Sequence, residues 1–356
     1  MALFAVDTPR AYEANPGLFQ FRASEPVAAR EVRVAGRRYL PSRDLTITVV
    51  GWRDGRRIGA VTARNVTGLP KASMSVRPVT RTAPRAQVRM RAMPKPATAA
   101  GGWIANLATG RGASYNAGAQ FTAASTVKLP ILITVLMRTQ ADLPSTALWG
   151  PVQQMVRSSS NDAANQVLTM IGGSTASGGA MATRVARSLG ATRTDVAAGY
   201  LPGQDRRAPP NRVVEQPDVP CCKHTTAHDM GVLMQAVVEA AAGRGKARRM
   251  GLTGRDARVA LWLLAHTSYP GLIDPWTPWV TAHKIGYVDR AWHDAGVVFT
   301  PQGPLIVSVM TDNPGGASES AGAAYGRRLL QLARFGLNAP KAKPEIAPGP
   351  VGDARR

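Results

Sequence analysis

A serine hydroxyl and a lysine amine stand three residues apart in Ser125-Thr126-Val127-Lys128. At the start of a helix, positions i and i+3 share a face, so the two side chains can meet. A serine hydroxyl is a weak nucleophile until a base takes its proton. A lysine can be that base when burial and nearby positive charge disfavour its ammonium form. The free N–H groups of the same helix N-terminus would stabilise negative charge developing beside Ser125. The spacing alone equally fits an N-cap serine followed by a surface lysine. The flanks say more, because Phe121-Thr122-Ala123-Ala124 precedes the serine and a long apolar run follows the lysine.

Two other groupings carry matching chemistry. Within MVRSSSNDAANQVL, Ser159 and Asn161 stand two residues apart and could line one pocket edge, Ser159 relaying a proton and Asn161 holding a substrate amide. The competing reading is helix capping, which favours the same residue types. In His283-Lys284-Ile285-Gly286, on an expected strand, Lys284 would bring positive charge and Gly286 would let the backbone come close. The next N–H, that of Tyr287, would then form half of an oxyanion hole, with the N–H of Ser125 as the other half. An edge-strand lysine outside the chemistry is the competing reading here.

No metal or cofactor is expected. His283 and His293 have no third ligand at metal spacing, and His224 and His228, four residues apart, lack an acidic or third partner. Cys221 and Cys222 are adjacent, a spacing that suits a disulfide poorly, and they have no further ligands nearby.

The elements that must position these groups fall into four stretches. Residues 1–70 are expected to form a small β-sandwich-like module, with strands at 31–39, 45–50 and 57–63 and an Asp54-Gly55 tight turn. Residues 71–100 mix Pro, Arg, Thr and Ala without periodicity and are expected as a linker. The main domain is expected over 101–337. It opens with a hairpin of strands 103–107 and 113–116 about Thr109-Gly110-Arg111-Gly112, and a helix follows from Ser125 or just after. Helices continue to about 265, strands are expected at 280–286, 293–300 and 305–312, and an amphipathic helix closes the domain over 320–335. Leu329, Leu330, Leu332 and Phe335 are its core candidates. Strands at both ends with helices between predict one sheet built from both ends, with a helical lobe inserted. The tail 338–356 is Pro-rich, polar and expected to be disordered.

Composition is globular, with 44% hydrophobic and 19% charged residues in 356. No run reaches the length of about 18–20 apolar residues that crosses a bilayer. The first residues have no basic region followed by an apolar core, so no signal peptide is expected in this chain. Basic residues outnumber acidic ones 44 to 22, a formal net charge of +22. That field favours acidic partners such as an anionic cell-wall polymer. Arginines are scattered through every segment without a stripe or known module, so no specific nucleic-acid partner is expected.

Together and in this order, Ser125-x-x-Lys128, Ser159-x-Asn161 and Lys284-Ile285-Gly286 resemble the Ser-x-x-Lys, Ser-x-Asn and Lys-Thr-Gly signatures of class A serine β-lactamases and penicillin-binding DD-peptidases. The hairpin NLATGRGASYNAG resembles that family's entry strands, and TTAHDM at 225–230 the start of its second-lobe helix. The resemblance covers about residues 101–337. It implies an α/β (α+β) fold of the β-lactamase/transpeptidase type: an antiparallel sheet flanked by helices, with an inserted helical lobe. It also implies an acyl-enzyme on Ser125, with Lys128, Ser159 and Lys284 as catalytic residues and Asn161, Gly286 and Tyr287 binding the substrate. The substrate would be a β-lactam or peptidoglycan-like small molecule, and the location the cell envelope or outside the cell. A DD-peptidase or esterase, or a non-catalytic module that binds an anionic wall polymer, are the alternatives.

The sequence departs from the pattern where hydrolysis and carboxylate binding are served. Ala198 aligns with the loop glutamate that activates water in class A enzymes, and Glu215, further on, is the candidate to replace it. Ile285 replaces a hydroxyl residue, and Trp292 stands where many class A enzymes keep an arginine for the substrate carboxylate. Arg290 is the candidate to compensate. Ser160 replaces a frequent Asp.

Overall fold

Along residues 303–312 successive side chains point to opposite sides, as in any strand. Ile306 and Met310 join a core cluster containing Trp103, Ala105, Ala295 and Val297, whereas Leu305, Val307 and Val309 join a second with Ile104 and Val298. The sheet is therefore covered on both faces. The structure is a computed structural model. It describes the backbone of strands at 3–4, 46–53 and 56–64, and residues 76–338 apart from 96–98, 140–142, 202–210, 212, 214, 220–222, 278, 280 and 301.

Strands β1 (Leu3–Phe4), β2 (Thr46–Arg53) and β3 (Arg56–Arg64) form a separate sheet in that order, with β2 and β3 antiparallel. The expected strand at 45–50 overlaps β2 from 46 onward, and that at 57–63 falls within β3. The expected strand at 31–39, the Asp54-Gly55 turn, the Cys221-Cys222 pair and the tail from 339 onward lie outside the described residues.

The stretch 71–100, expected as linker, holds β4 (Arg81–Thr82), helix α1 (Pro84–Arg91) and the start of β5 (Ala99–Asn106). Pro84 opens α1, a position where its missing N–H costs nothing. Ala86 and Met90 anchor the helix in the second core cluster. An eight-residue helix is marginal by itself, and this burial is what holds it.

The main sheet adds β6 (Arg111–Tyr115) and, at the far end of the domain, β9 (Thr281–Val288), β10 (Ala291–Thr300) and β11 (Gly303–Asp312). Its order is β4-β6-β5-β11-β10-β9, antiparallel except for the short parallel β4/β6 pair. The first long strand of the domain thus lies beside the last, with Asn106 opposite Leu305 and Ala99 opposite Asp312. This leaves β9, which carries Lys284, as an edge strand.

Between the two halves run β7 (Phe121–Thr122), a 3-10 turn over Ala124–Val127 and helix α2 (Lys128–Arg138). Residues 128–136 of α2 are all buried, as expected of a helix at the centre of a domain. Helices α3 (Trp149–Arg157), α4 (Asn161–Gly172) and α5 (Thr175–Ser188) build the inserted lobe. After β8 (His224–Thr225), which pairs with β7, come α6 (Ala227–Ala241), α7 (Gly245–Arg249) and α8 (Gly254–Ala265). Helix α9 (Glu319–Gln331) packs on the second core cluster through Tyr325 and Leu329, with Leu332 just beyond; Leu330 and Phe335 are only partly buried. Among the described residues no helix is long and apolar enough to cross a membrane.

Candidate active site

The 3-10 turn brings Ser125 and Lys128 together, because side chains at i and i+3 eclipse in that geometry. Lys128 Nζ donates to Ser125 Oγ at 2.9 Å. Ala124, just before Ser125, has φ +48°, a left-handed value uncommon for a residue with a Cβ. Ser125 is half-buried, whereas the Lys128 side chain is fully buried.

The junction of α3 and α4 supplies the second group. Ser159 has φ +56°, so the chain turns sharply there and divides the labour among three neighbours. Ser160 Oγ accepts from Ala163 N at 3.1 Å and is the cap of α4. Ser159 and Asn161 face Lys128 instead: Nζ lies 3.3 Å from Ser159 Oγ and 2.7 Å from Asn161 Oδ1, and it also donates to the Ser159 carbonyl. Ser160 thus takes the capping role, while Ser159 and Asn161 lie against Lys128.

Strand β9 delivers the third. Lys284 is 1% exposed, and its Nζ donates to Ser159 Oγ at 2.9 Å and to the Ile285 carbonyl at 3.0 Å. The Ser159 hydroxyl therefore sits between two amines. Gly286 touches the Ser125 turn itself: a Cβ there would meet Thr126 Cγ2 at 2.9 Å, and Ala123 O and Thr126 N at 3.0 Å each. Tyr287, 54% exposed, packs its ring at a tilt of 43° against Trp292, 4.6 Å between centroids.

Arg290 is not part of this group. Its guanidinium makes two hydrogen bonds to Asp312, at 2.7 and 2.8 Å, which hold the β9–β10 turn against the end of β11. Glu215 is likewise elsewhere. It pairs with Lys95 at 2.5 Å and accepts from the Tyr115 hydroxyl at 2.5 Å, beside β6 at the opposite side of the sheet from β9. The hydrogen bonds from Lys95 and Tyr115 hold its carboxyl below the ordinary range.

Burial pushes Lys128 down to about 6, helped by the positive charges of Lys284 and then Lys223. Burial also lowers Lys284, to about 8, with Asp294 opposing. At neutral pH one lysine is then an amine able to accept a proton and the other an ammonium able to orient the Ser159 hydroxyl.

Three groups escaped the sequence reading: Lys223, Tyr200 and Asn165. The Tyr200 ring covers Lys128 Nζ at 4.5 Å from its centroid, and its hydroxyl donates to the Ala124 carbonyl at 3.1 Å. Asn165, on α4, accepts from Tyr200 N at 2.7 Å. These residues lie far from Ser125 in the chain, and no spacing signals them.

The histidines also differ from expectation. His224 belongs to β8 and His228 to the first turn of α6, so the helical i, i+4 spacing does not apply. His293 is buried and pushed down to about 4 by that burial; its Nε2 donates to the Thr122 carbonyl at 2.7 Å and its Nδ1 accepts from Thr311 N. For His283, given no third ligand by spacing, the fold supplies two carboxylates. Atoms of His283, Asp274 and Asp294 lie within 4.8 Å of one another. Each is already engaged: His283 Nδ1 with Asp294 Oδ1 at 2.9 Å, its Nε2 with Thr267 Oγ1 at 3.1 Å, and Asp274 Oδ1 with Gly271 N at 2.6 Å. Asp294 Oδ2 accepts from Leu272 N and Ile273 N. The cluster ties the loop before β9 to the sheet.

A sheet made from both ends of the domain, an inserted helical lobe and a serine–lysine pair at its edge define the penicillin-recognising class of serine hydrolases. The profile of the Beta-lactamase enzyme family matches residues 84–148 and 144–332, and the chain belongs to that family. Among solved structures it is similar to a β-lactamase from Sphaerobacter thermophilus, at 20% identity and TM-score 0.53, covering 72% of this chain and 98% of that one. PBP-A gives 20% identity and TM-score 0.53 over 73% and 99%. A β-lactamase from Streptosporangium roseum gives 20% and 0.52 over 71% and 99%. At these identities the likeness is one of fold. No curated protein matches the chain.

Proposed function

We propose that Ser125 is acylated by β-lactams or related amides and that the acyl group leaves slowly. The observation that carries this reading is the Ser125–Lys128–Ser159–Lys284 hydrogen-bonded chain, in which the Lys128 contacts are a serine hydroxyl, a serine carbonyl and an amide oxygen, with no carboxylate. Ser125 Oγ attacks the carbonyl carbon as Lys128 takes its proton. The N–H groups of Ser125 and Tyr287 receive the developing oxyanion, and Asn161 holds the substrate amide. Ser159 passes a proton to the departing nitrogen and is reprotonated by way of Lys128, so the amide C–N bond breaks as the ester forms. Hydrolysis of that ester needs an activated water. Position 198 offers a methyl group in place of a carboxylate, and the Tyr200 ring lies against Lys128 on the side of the same loop.

Ile285 and Trp292 favour a second substrate for the same nucleophile. Both are apolar, and the Arg290 guanidinium is held by Asp312, so a neutral ester or amide fits this edge better than a free carboxylate. A purely binding role on an anionic wall polymer draws support from the net charge of +22. It leaves a buried lysine on a serine hydroxyl without purpose. The family's usual setting argues for work in the cell envelope or outside the cell.

The test is intact-protein mass after incubation with a simple penicillin, followed over hours, with Ser125→Ala alongside. A persistent Ser125-dependent adduct is expected. A short-lived adduct with accumulating product would make this an efficient β-lactamase. Absence of any adduct would remove β-lactams as substrates and bring neutral esters forward.

A further inference from the structure

Lys223, just ahead of β8, places a third amine at the site. Its Nζ donates to the Gly199 carbonyl at 2.8 Å and lies over the Tyr200 ring, 4.6 Å from the centroid. Lys128 Nζ approaches the same ring to 4.5 Å. The ring is fixed by its hydroxyl on the Ala124 carbonyl and its backbone N–H on Asn165, so both amines meet a rigid aromatic group. An aromatic ring attracts a cation, but two ammonium groups sharing one ring repel each other where little water intervenes. The better solvated of the two keeps its proton. Lys223 is half-buried and Lys128 fully buried, so burial weighs more heavily on the Lys128 ammonium.

The other groups facing Lys128 add no negative charge. They are Ser125 from the nucleophile turn, Ser159 and Asn161 from the start of α4, and Lys284 through Ser159 from β9. The charged groups that act on Lys128 are Lys284 and Lys223, both cationic.

We propose that Lys223 is a positioning residue for acylation: its ammonium, seated on Tyr200 beside Lys128, keeps the Lys128 amine unprotonated and ready for the Ser125 proton. Proton transfer to Lys128 belongs to the acylation reading above, on which this role rests. The electrostatic effect itself exists without any substrate.

The experiment uses that independence. The chain has 8 lysines, few enough for each 13Cε signal of a lysine-labelled sample to be followed by NMR, with Lys128→Met identifying the signal of interest. The titration of Lys128 is compared in the full chain and in Lys223→Met, Lys223→Arg and Lys223→Glu, each checked for native circular dichroism. The Lys128 midpoint is expected to rise by at least about half a unit in Lys223→Met, to rise further in Lys223→Glu, and to return in Lys223→Arg. The pH midpoint of Ser125 acylation should move in parallel. A Lys128 midpoint that is the same in all folded variants overturns the proposal, even if Ser125 is acylated normally. A midpoint that orders with charge upholds it, even if penicillins leave no adduct and the acylation reading falls.

Discussion

Acylation should follow a bell-shaped pH profile set by two lysines in opposite protonation states. A lysine at its ordinary value of 10.5 is unprotonated in only about 0.03% of molecules at pH 7. With Lys128 lowered to about 6, about 90% of molecules carry the free amine at that pH, a gain of about 3,000-fold in competent base. Lys284, lowered to about 8, must keep its proton to orient the Ser159 hydroxyl. The sign is opposite for the two groups: Lys128 works above its midpoint and Lys284 below its own. The rate constant for Ser125 labelling by a fluorescent penicillin should therefore climb about tenfold per unit up to pH 6, level off, and fall beyond about pH 8. Stopped-flow or gel-based labelling between pH 4.5 and 9.5, at constant ionic strength, would read it. A rate that keeps rising through pH 9 would mean that Lys128 is protonated at neutrality and that another group is the base. A plateau without an alkaline fall would free Lys284 from any need for charge.

Three further outcomes test other parts of the structure. Gly286→Ala drives a methyl group to within 3.0 Å of Ala123 O and Thr126 N, so β9 and the Ser125 turn must separate. It should cost about 1–3 kcal/mol in urea unfolding and slow acylation more than any neighbouring β9 substitution. Ala198→Glu, which returns a carboxylate to the loop position of the family pattern, should shorten the life of a penicillin adduct by about 100-fold in time-resolved mass spectrometry; an unchanged lifetime would show that this loop does not limit deacylation. Asp294→Ala removes the acceptor of His283 Nδ1, Leu272 N and Ile273 N at a fully buried position. Broken buried pairs of this kind cost about 3–5 kcal/mol, and a loss below about 1 kcal/mol by denaturant titration would deny the cluster its bracing role.

Local spacing explains what the chain reveals on inspection. Ser125 and Lys128 meet because one turn of 3-10 or α backbone aligns i with i+3, whatever surrounds it. The strands at 281–288, 291–300 and 303–312 declare themselves through alternation and short turns, and the last of them pairs with 99–106 to join the two ends of the domain. The split within Ser159-Ser160-Asn161 was not legible, because a positive φ at Ser159 decides which hydroxyl caps α4 and which faces Lys128. Helix α1 was hidden inside a Pro- and Arg-rich stretch, since its existence depends on Ala86 and Met90 finding a core made by strands elsewhere in the chain.

Sequence by itself determined the spacing that joins Ser125 to Lys128, the order of the three motifs and the alternation that puts Lys284 on a strand. Tertiary structure alone decided which charges act at a distance. Arg290 met Asp312 instead of the pocket, Glu215 met Lys95 across the sheet, and Lys223 came to share an aromatic ring with Lys128. The physical reason is range: helix and strand periodicities bind residues a few positions apart, whereas a charge answers to whatever folding places within a few ångströms in low dielectric.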